Sequence, residues 1–267
     1  MYLKYPQQQT DPPRPPWETL PTMYDLPSEN AEDSGLPDVG ASPSRDVFHD
    51  LQPQLLSATF RLQDYTGDRI FTGTDLNLYY DVHHQLWYKR PDWFGVVGIP
   101  RLYRNGDLRL SYVIWQEVVR PAVVVELLSP GTEKEDLGQT PTGQDSADAA
   151  HPPSKWQVYE QILQVPYYVV FDRYTNQLRA FQIIGRHYEP MPLPGGRLWI
   201  PELKVGLGLW QGTYLGIERQ WLRWFAEDQS WILTPEEQAL QALSQEQQRA
   251  ARLATKLRSL GIDPEDI

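Results

Sequence analysis

Apolar residues change their spacing several times along this chain, and each change predicts an element. Val47, Leu51, Leu55, Ala58 and Leu62 recur at helical spacing. A first helix is therefore expected over 46–62, with Ser44 as its N-cap and Pro53 as a kink or first-turn residue. The spacing then shortens. Segments 69–72, 76–82, 85–89 and 93–97 are short, apolar and aromatic, and predict strands; Asn105-Gly106 marks a turn, and 111–119 resumes as a strand. AVVVELL (122–128) is almost wholly apolar and rich in β-branched residues, which suits a central strand covered on both faces.

A polar stretch, 129–154, follows and is longer than ordinary connections inside a compact domain. Such a length signals either function or disorder. A helix is expected from Ser154 to Gln164, with Ser154 as cap and Trp156, Tyr159 and Leu163 on one face. Strand 167–171, a hairpin of 178–184 and 187–190 around Gly185, and short strands 198–201 and 205–209 come next. Trp221, Trp224, Phe225 and Trp231 read as core, or as a surface covered by a C-terminal helix. That helix runs from Thr234 to Leu260, with Gly261 and Pro264 as its stop. Leu240, Leu243, Ala250, Ala254 and Leu257 fall near an a/d register interrupted by Gln247, as in a short coiled coil or a helix lying on its own domain.

Three regions result. Residues 1–39 form a Pro-rich arm, because the eight prolines of 1–37 lack the N–H that helices and sheets require. It is expected to be a solvated tail; Trp17, Met23 and Tyr24 give it apolar handholds for docking. Residues 40–212 form an α/β (α+β) domain, and 213–267 a Trp-rich connector and helix.

Composition narrows the function. The chain carries 35 acidic and 24 basic residues, a net charge of −11, which argues against a generic DNA-coating or membrane-surface protein. A metal ion can still supply positive charge at a nucleic-acid site. The absence of cysteine excludes disulfides, thiolate-held zinc and thiol catalysis. No apolar run approaches the roughly 20 residues that span a bilayer. The N-terminus lacks a basic-then-apolar leader, so a cytoplasmic protein is expected.

Candidate chemistry rests on Asp92, Glu126 and Lys155. Asp92 opens a buried strand, Glu126 interrupts the most apolar strand, and Lys155 opens the helix before the next strand. A carboxylate in a central strand costs several kcal/mol unless its charge is met. A divalent cation would meet it, and so would a structural ion pair with Lys155 or Arg90. His83-His84 reads as a strand-end turn without a third ligand. No Gly-x-Ser-x-Gly elbow and no GxxxxGK[ST] phosphate loop occurs.

Pro91-Asp92, VVVELLSPGT (123–132), Asp136, Lys155-Trp-Gln-Val-Tyr159 and VPYYVVFD (165–172), in that order, resemble the bacterial Uma-two family of the restriction-endonuclease-like PD-(D/E)XK nucleases. The likeness spans roughly 40–210, and the tail 252–267 also resembles the segment that follows this domain in many members. It implies a mixed β-sheet flanked by helices and hydrolysis of phosphodiester bonds dependent on Mg²⁺ (or Mn²⁺), with DNA a better substrate than RNA. Asp92 and Glu126 would be the metal carboxylates, Leu127 would lend its backbone carbonyl, and Lys155 would be the working amine. The superfamily places that lysine two positions after the glutamate, where this chain has Leu128; the family moves it to the following helix. Asp136 matches a family aspartate beside the site, and His49 a family helix histidine. Lys134 is the alternative amine. The 18 residues between Asp136 and Lys155 exceed the family's spacing and read either as a substrate-gating flap or as an idle loop. Arg90, Arg101, Arg104 and Arg109 are expected as a basic substrate-binding rim, and pairing of two copies through the C-terminal helix is expected. The competing expectation is an inactive nuclease fold used as an interaction scaffold.

Overall fold

The computed structural model describes residues 16–26, 47–128, 136–138 and 152–260. Ser44, Lys134, most of the 129–154 stretch and the helix stop at Gly261 and Pro264 lie outside them. In chain order the elements are α1 (Pro16–Thr19), α2 (Val47–Thr59), β1 (Ile70–Gly73), β2 (Leu78–Tyr79), β3 (Tyr88–Lys89), β4 (Trp93–Val97), β5 (Tyr112–Val113), α3 (Ile114–Glu117), β6 (Val123–Leu127), α4 (Lys155–Gln157), β7 (Tyr167–Asp172), β8 (Gln177–Ile184), β9 (His187–Pro190), β10 (Arg197–Ile200), β11 (Val205–Tyr214), β12 (Ile217–Phe225) and α5 (Pro235–Ser259).

Six strands form the main sheet in the order β1-β4-β6-β7-β8-β9. It is mixed: β6 runs parallel to β7 and antiparallel to β4. The AVVVELL run becomes β6, with neighbours on both sides, and all five of its residues are buried. Side-chain alternation divides the core. Val123, Val125 and Leu127 of β6 join Trp93 of β4 and Val169 of β7 in one cluster. Val124 joins Phe94 and Val170 in the cluster on the opposite face. Glu126 and Asp92 carry the parity of this second face.

The first face is covered by α2 and by a second sheet, β10-β11-β12. β12 was not expected as a strand, and β11 runs past position 212, the expected domain limit. Trp221 and Trp224 pack into the first cluster beside Phe48, Phe60 and Trp93, and the helix α5 buries no residue at all. The Trp-rich stretch is thus core, and α5 is not its cover.

Other elements also differ from expectation. α2 stops at Thr59, where the Thr59 hydroxyl turns back to Leu55 O. The expected strand 111–119 is only two residues of β5, followed by the helical turn α3, which Val118 closes in a left-handed conformation. Packing overrides β-propensity here: Trp115 and Gln116 donate to main-chain carbonyls of Leu20 and Pro21. Residues 16–26 are accordingly not a solvated tail. Met23 is 1% exposed in a third cluster with Tyr79, Tyr103 and Trp115. Few main-chain hydrogen bonds are needed to hold a proline-rich segment that is anchored by side chains.

β12 is the outer strand of its sheet, and α2 protects it. The buried Gln52 amide donates to Leu222 O and accepts from Leu222 N, both at 2.8 Å. Gln52→Leu leaves two buried main-chain groups unpaired. The expected outcome is a loss of about 2–4 kcal/mol in stability, read from urea unfolding at constant m; an unchanged midpoint would show that water replaces the amide.

Candidate active site at the ends of β4 and β6

Antiparallel pairing of β4 with β6 sets Trp93 opposite Val125, so Asp92 enters β4 where Glu126 and Leu127 leave β6. The Asp92 carboxylate accepts from Leu127 N at 2.6 Å, and the Asp92 N–H points to Glu126 Oε2 at 3.4 Å. The strands therefore hold both acids at one end and on one face of the sheet. Glu126 is fully buried, whereas Asp92 is half-buried.

Lys155 and Tyr159 reach Glu126 from the helix. Lys155 Nζ lies 3.2 Å from Glu126 Oε2, and the Tyr159 hydroxyl donates to Oε1 at 2.9 Å. Ser154 and Gln157 form a reciprocal capping box that fixes where the helix starts. The helix then widens: Val158–Ile162 is a π-turn, in which Leu163 N bonds to Val158 O at 2.8 Å. Such single π-turns occur often at functional sites. The expected regular helix 154–164 is thus three α residues followed by the π-turn.

Lys155 also faces Asp136, with Nζ 3.4 Å from Oδ1. The short described segment 136–138 is pinned from two sides. Tyr168 donates its hydroxyl to Asp136 O at 2.8 Å. Gly138 has φ +66°, and a Cβ there would sit 2.8 Å from the Trp156 ring. Burial pushes the Tyr168 phenol well above its usual range, Asp136 and Glu126 push it the same way, and Lys155 pulls it back.

On the other side, His49 of α2 donates from Nε2 to Leu127 O at 3.2 Å in the tautomer that carries the proton there. His49, Asp92, Glu126, Leu127, Asp136 and Lys155 are therefore brought together. Lys134 lies outside the described residues. Arg90 is near in sequence, but its guanidinium is engaged with Asp75 at 2.9 Å. Arg101 and Arg104 follow the far end of β4, beyond the end opposite Asp92, and Arg109 is paired with Glu117 at 2.7 Å. Tyr159 was read only as a packing residue. Its position four after Lys155, on one helical face, was the available signal.

The donor chemistry fits a hard divalent cation. Asp92 and Glu126 offer carboxylate oxygens, and Leu127 O keeps a second lone pair beyond the His49 bond. Among the described residues no three His, Asp or Glu side chains form a metal cage. Two acids, one carbonyl and water suit Mg²⁺, which retains several waters, better than a dehydrating cage would.

The mixed, helix-flanked sheet is consistent with the restriction-endonuclease-like fold of the PD-(D/E)XK class. Residues 38–218 match the model of the Uma2 family, described as "Putative restriction endonuclease", and the chain belongs to that family. No curated protein matches the chain. Among the described residues no helix is long and apolar enough to cross a membrane.

Tyr159→Phe removes one hydrogen bond to a buried carboxylate and is expected to cost about 1.5–3 kcal/mol. Lys155→Met, which leaves that carboxylate without its ammonium, is expected to cost more, roughly 3–5 kcal/mol. Chemical denaturation of the two variants gives this order; the reverse order would mean that Tyr159, not Lys155, compensates the charge.

Proposed function

We propose that the protein is a Mg²⁺-dependent endonuclease (Mn²⁺ serving in its place) that hydrolyses phosphodiester bonds of DNA. The observation that carries this reading is a single buried carboxylate, Glu126, shared by an amine, a phenol and the strand that bears the second acid. Asp92, Glu126 and Leu127 O would hold the cation, which when bound supplies positive charge to the phosphate oxygens.

The chain's own groups do the rest. Lys155 orients the attacking water and places an ammonium beside the developing negative charge. Asp136, 3.4 Å from the same ammonium, steadies it. Tyr159 holds the Glu126 carboxylate in one rotamer, and His49 holds the Leu127 carbonyl. Lys155 meets Glu126 despite Leu128 at the superfamily's lysine position, and this favours an active enzyme over an inactive scaffold.

Nicking of supercoiled plasmid is expected with Mg²⁺ and none with chelator. Asp92→Ala and Glu126→Ala are expected to abolish it, and Lys155→Ala to lower it by roughly 10²–10⁴-fold, as for loss of a positioned proton-handling group. Nicking that survives Glu126→Ala in a folded protein would overturn the assignment, and a folded wild type inert on every nucleic acid would favour the scaffold.

The same proposal includes self-association through α5. Leu240 and Leu243 are 67% and 56% exposed. Along the helix Glu236, Glu237 and Glu246 all precede Arg249, Arg252, Lys256 and Arg258. Two copies lying antiparallel bring each acidic half against a basic half and cover both apolar stripes. Light scattering is expected to give the mass of two chains, and L240S/L243S the mass of one; a wild type that stays single at high concentration rules the pairing out.

A further inference from the structure

One row of side chains runs across the main sheet from the two acids to an arginine. β4 and β6 pair with Trp93 facing Val125, which sets Asp92 beside Glu126 at the next step of the register. Glu126 is opposite Val170 of β7, and Val170 is opposite Arg179 of β8. Residues paired directly across strands share a face. Arg179 therefore stands on the face that carries Asp92 and Glu126. It is two strands beyond Glu126, or about 10 Å at an interstrand spacing of about 4.8 Å. Phe181, two positions on along β8, packs against the second cluster, as this face requires. The Trp156 ring, next to Lys155 in sequence, has its centroid 5.0 Å from that of Phe181. The start of the Lys155 helix and Arg179 thus border the same stretch of sheet.

Arg179 is half-buried, and its Nη2 donates to Gln177 Oε1 at 2.6 Å. Gln177 is exposed and opens β8, so the guanidinium is drawn toward the end of the sheet where the acids lie. Among the described residues no carboxylate forms an ion pair with it. Asp172, in the next row, is turned into the bend after β7, where its carboxylate accepts from the Thr175 hydroxyl at 2.6 Å and from Tyr174 N at 2.8 Å. Burial pushes the Asp172 carboxyl up, but those donors, Thr175 N and the Arg179 charge hold it below its usual range. The Gln177 amide adds no opposing charge and engages one of the several N–H donors of the guanidinium fork.

We infer that Arg179 binds the backbone phosphate adjacent to the one being cut. This rests on the nuclease reading and names a substrate contact for it. The reacting phosphate belongs over Asp92 and Glu126, where the cation would sit. A strand leaving that point along the row meets only Val170, which is buried and apolar, before Arg179. In the other direction the chain places an acid: Asp75 N bonds to Pro91 O at 3.1 Å, beside Asp92, and the Asp75 carboxylate is paired with Arg90 at 2.9 Å. The β8 side is therefore the favourable path for a polyanion. In a chain of net charge −11, diffuse attraction does not hold DNA, and a placed guanidinium that grips phosphate with two parallel bonds does. Such a contact carries no base information, so it sets register on the strand and not sequence preference.

The test is binding of a fluorescein-labelled DNA duplex to the full chain, by anisotropy across a salt series, with Ca²⁺ replacing Mg²⁺. Each phosphate contact contributes about 0.9 to the steepness of log K against log salt, so Arg179→Gln is expected to reduce the slope by about 0.9. Arg179→Lys, which keeps the charge in place, is expected to retain the slope. Arg186→Gln, at the turn on the far end of β8, is expected to leave it unchanged. Under Mg²⁺, Arg179→Gln is expected to raise KM for nicking by roughly 10- to 100-fold, as for loss of a hydrogen bond to a charged group, with kcat kept. A slope unaltered in Arg179→Gln, a slope reduced as much in Arg179→Lys or Arg186→Gln, a fall in kcat at constant KM, or a wild type that does not bind duplex overturns the inference. Wild-type nicking with an unaltered slope in Arg179→Gln sinks this inference alone; the expected slopes without nicking by the wild type under Mg²⁺ sink the nuclease reading alone.

Discussion

The fold is organised around one fully buried carboxylate. Glu126 stands in β6, with β4 on one side and β7 on the other, and it is 0% exposed. An ionised group there loses its hydration, a penalty of several kcal/mol that must be offset locally. The offset comes from separate parts of the chain: the Lys155 ammonium and the Tyr159 hydroxyl from the helix before β7, and the Asp92 N–H from the start of β4. None of these partners is near Glu126 in sequence. The site therefore exists only when β4, β6 and the Lys155 helix are docked together, and its geometry and the stability of the main sheet are the same problem.

That dependence explains what could be read in advance. The acid in AVVVELL is conspicuous because every neighbour is apolar, and a central strand buried on both faces has just this composition. Lys155 stands out as a charge that opens a buried helix, and the order of motifs supplied the family. What could not be read was set by distant packing. Residues 114–117 have strand-like composition, yet Trp115 and Gln116 need a helical turn to reach Leu20 and Pro21. In β12 the alternation is hidden, because Trp221 through Phe225 are all buried, including Arg223, which stacks on Trp210 and pairs with Glu237. The π-turn leaves no mark on hydrophobic spacing, since it adds a single residue to a short helix.

Arg223 shows a second principle. It ties the capping box of α5, Thr234 and Glu237, to the second sheet, and the Arg223 guanidinium holds the Glu237 carboxyl below its usual range against the opposing effect of burial. Among the described residues α5 is thus anchored at its N-terminal end, with no residue of the helix itself buried. A helix so placed projects its leucines away from the core that made it, and its stability alone relies on local propensity and the cap.

The absence of a lysine at position 128 now has a physical account. Leu128 lies on the Glu126 side of β6 and is 6% exposed, packed in the second cluster with Tyr159 and Tyr168. A long cation at that position would have to displace this aromatic packing. Placing the amine on the helix keeps the strand apolar and brings the ammonium in sideways, between Glu126 and Asp136. The consequence is that the amine's surroundings are set by three elements rather than one. The capping box fixes where its helix begins, the close approach of Gly138 to Trp156 fixes the segment that carries Asp136, and β6 fixes Glu126. A strand-borne lysine would share the rigidity of the sheet. Here the charge balance of the site depends on the segment at 136–138, so a displacement of that segment changes the field at Lys155 without moving either acid of the strand pair.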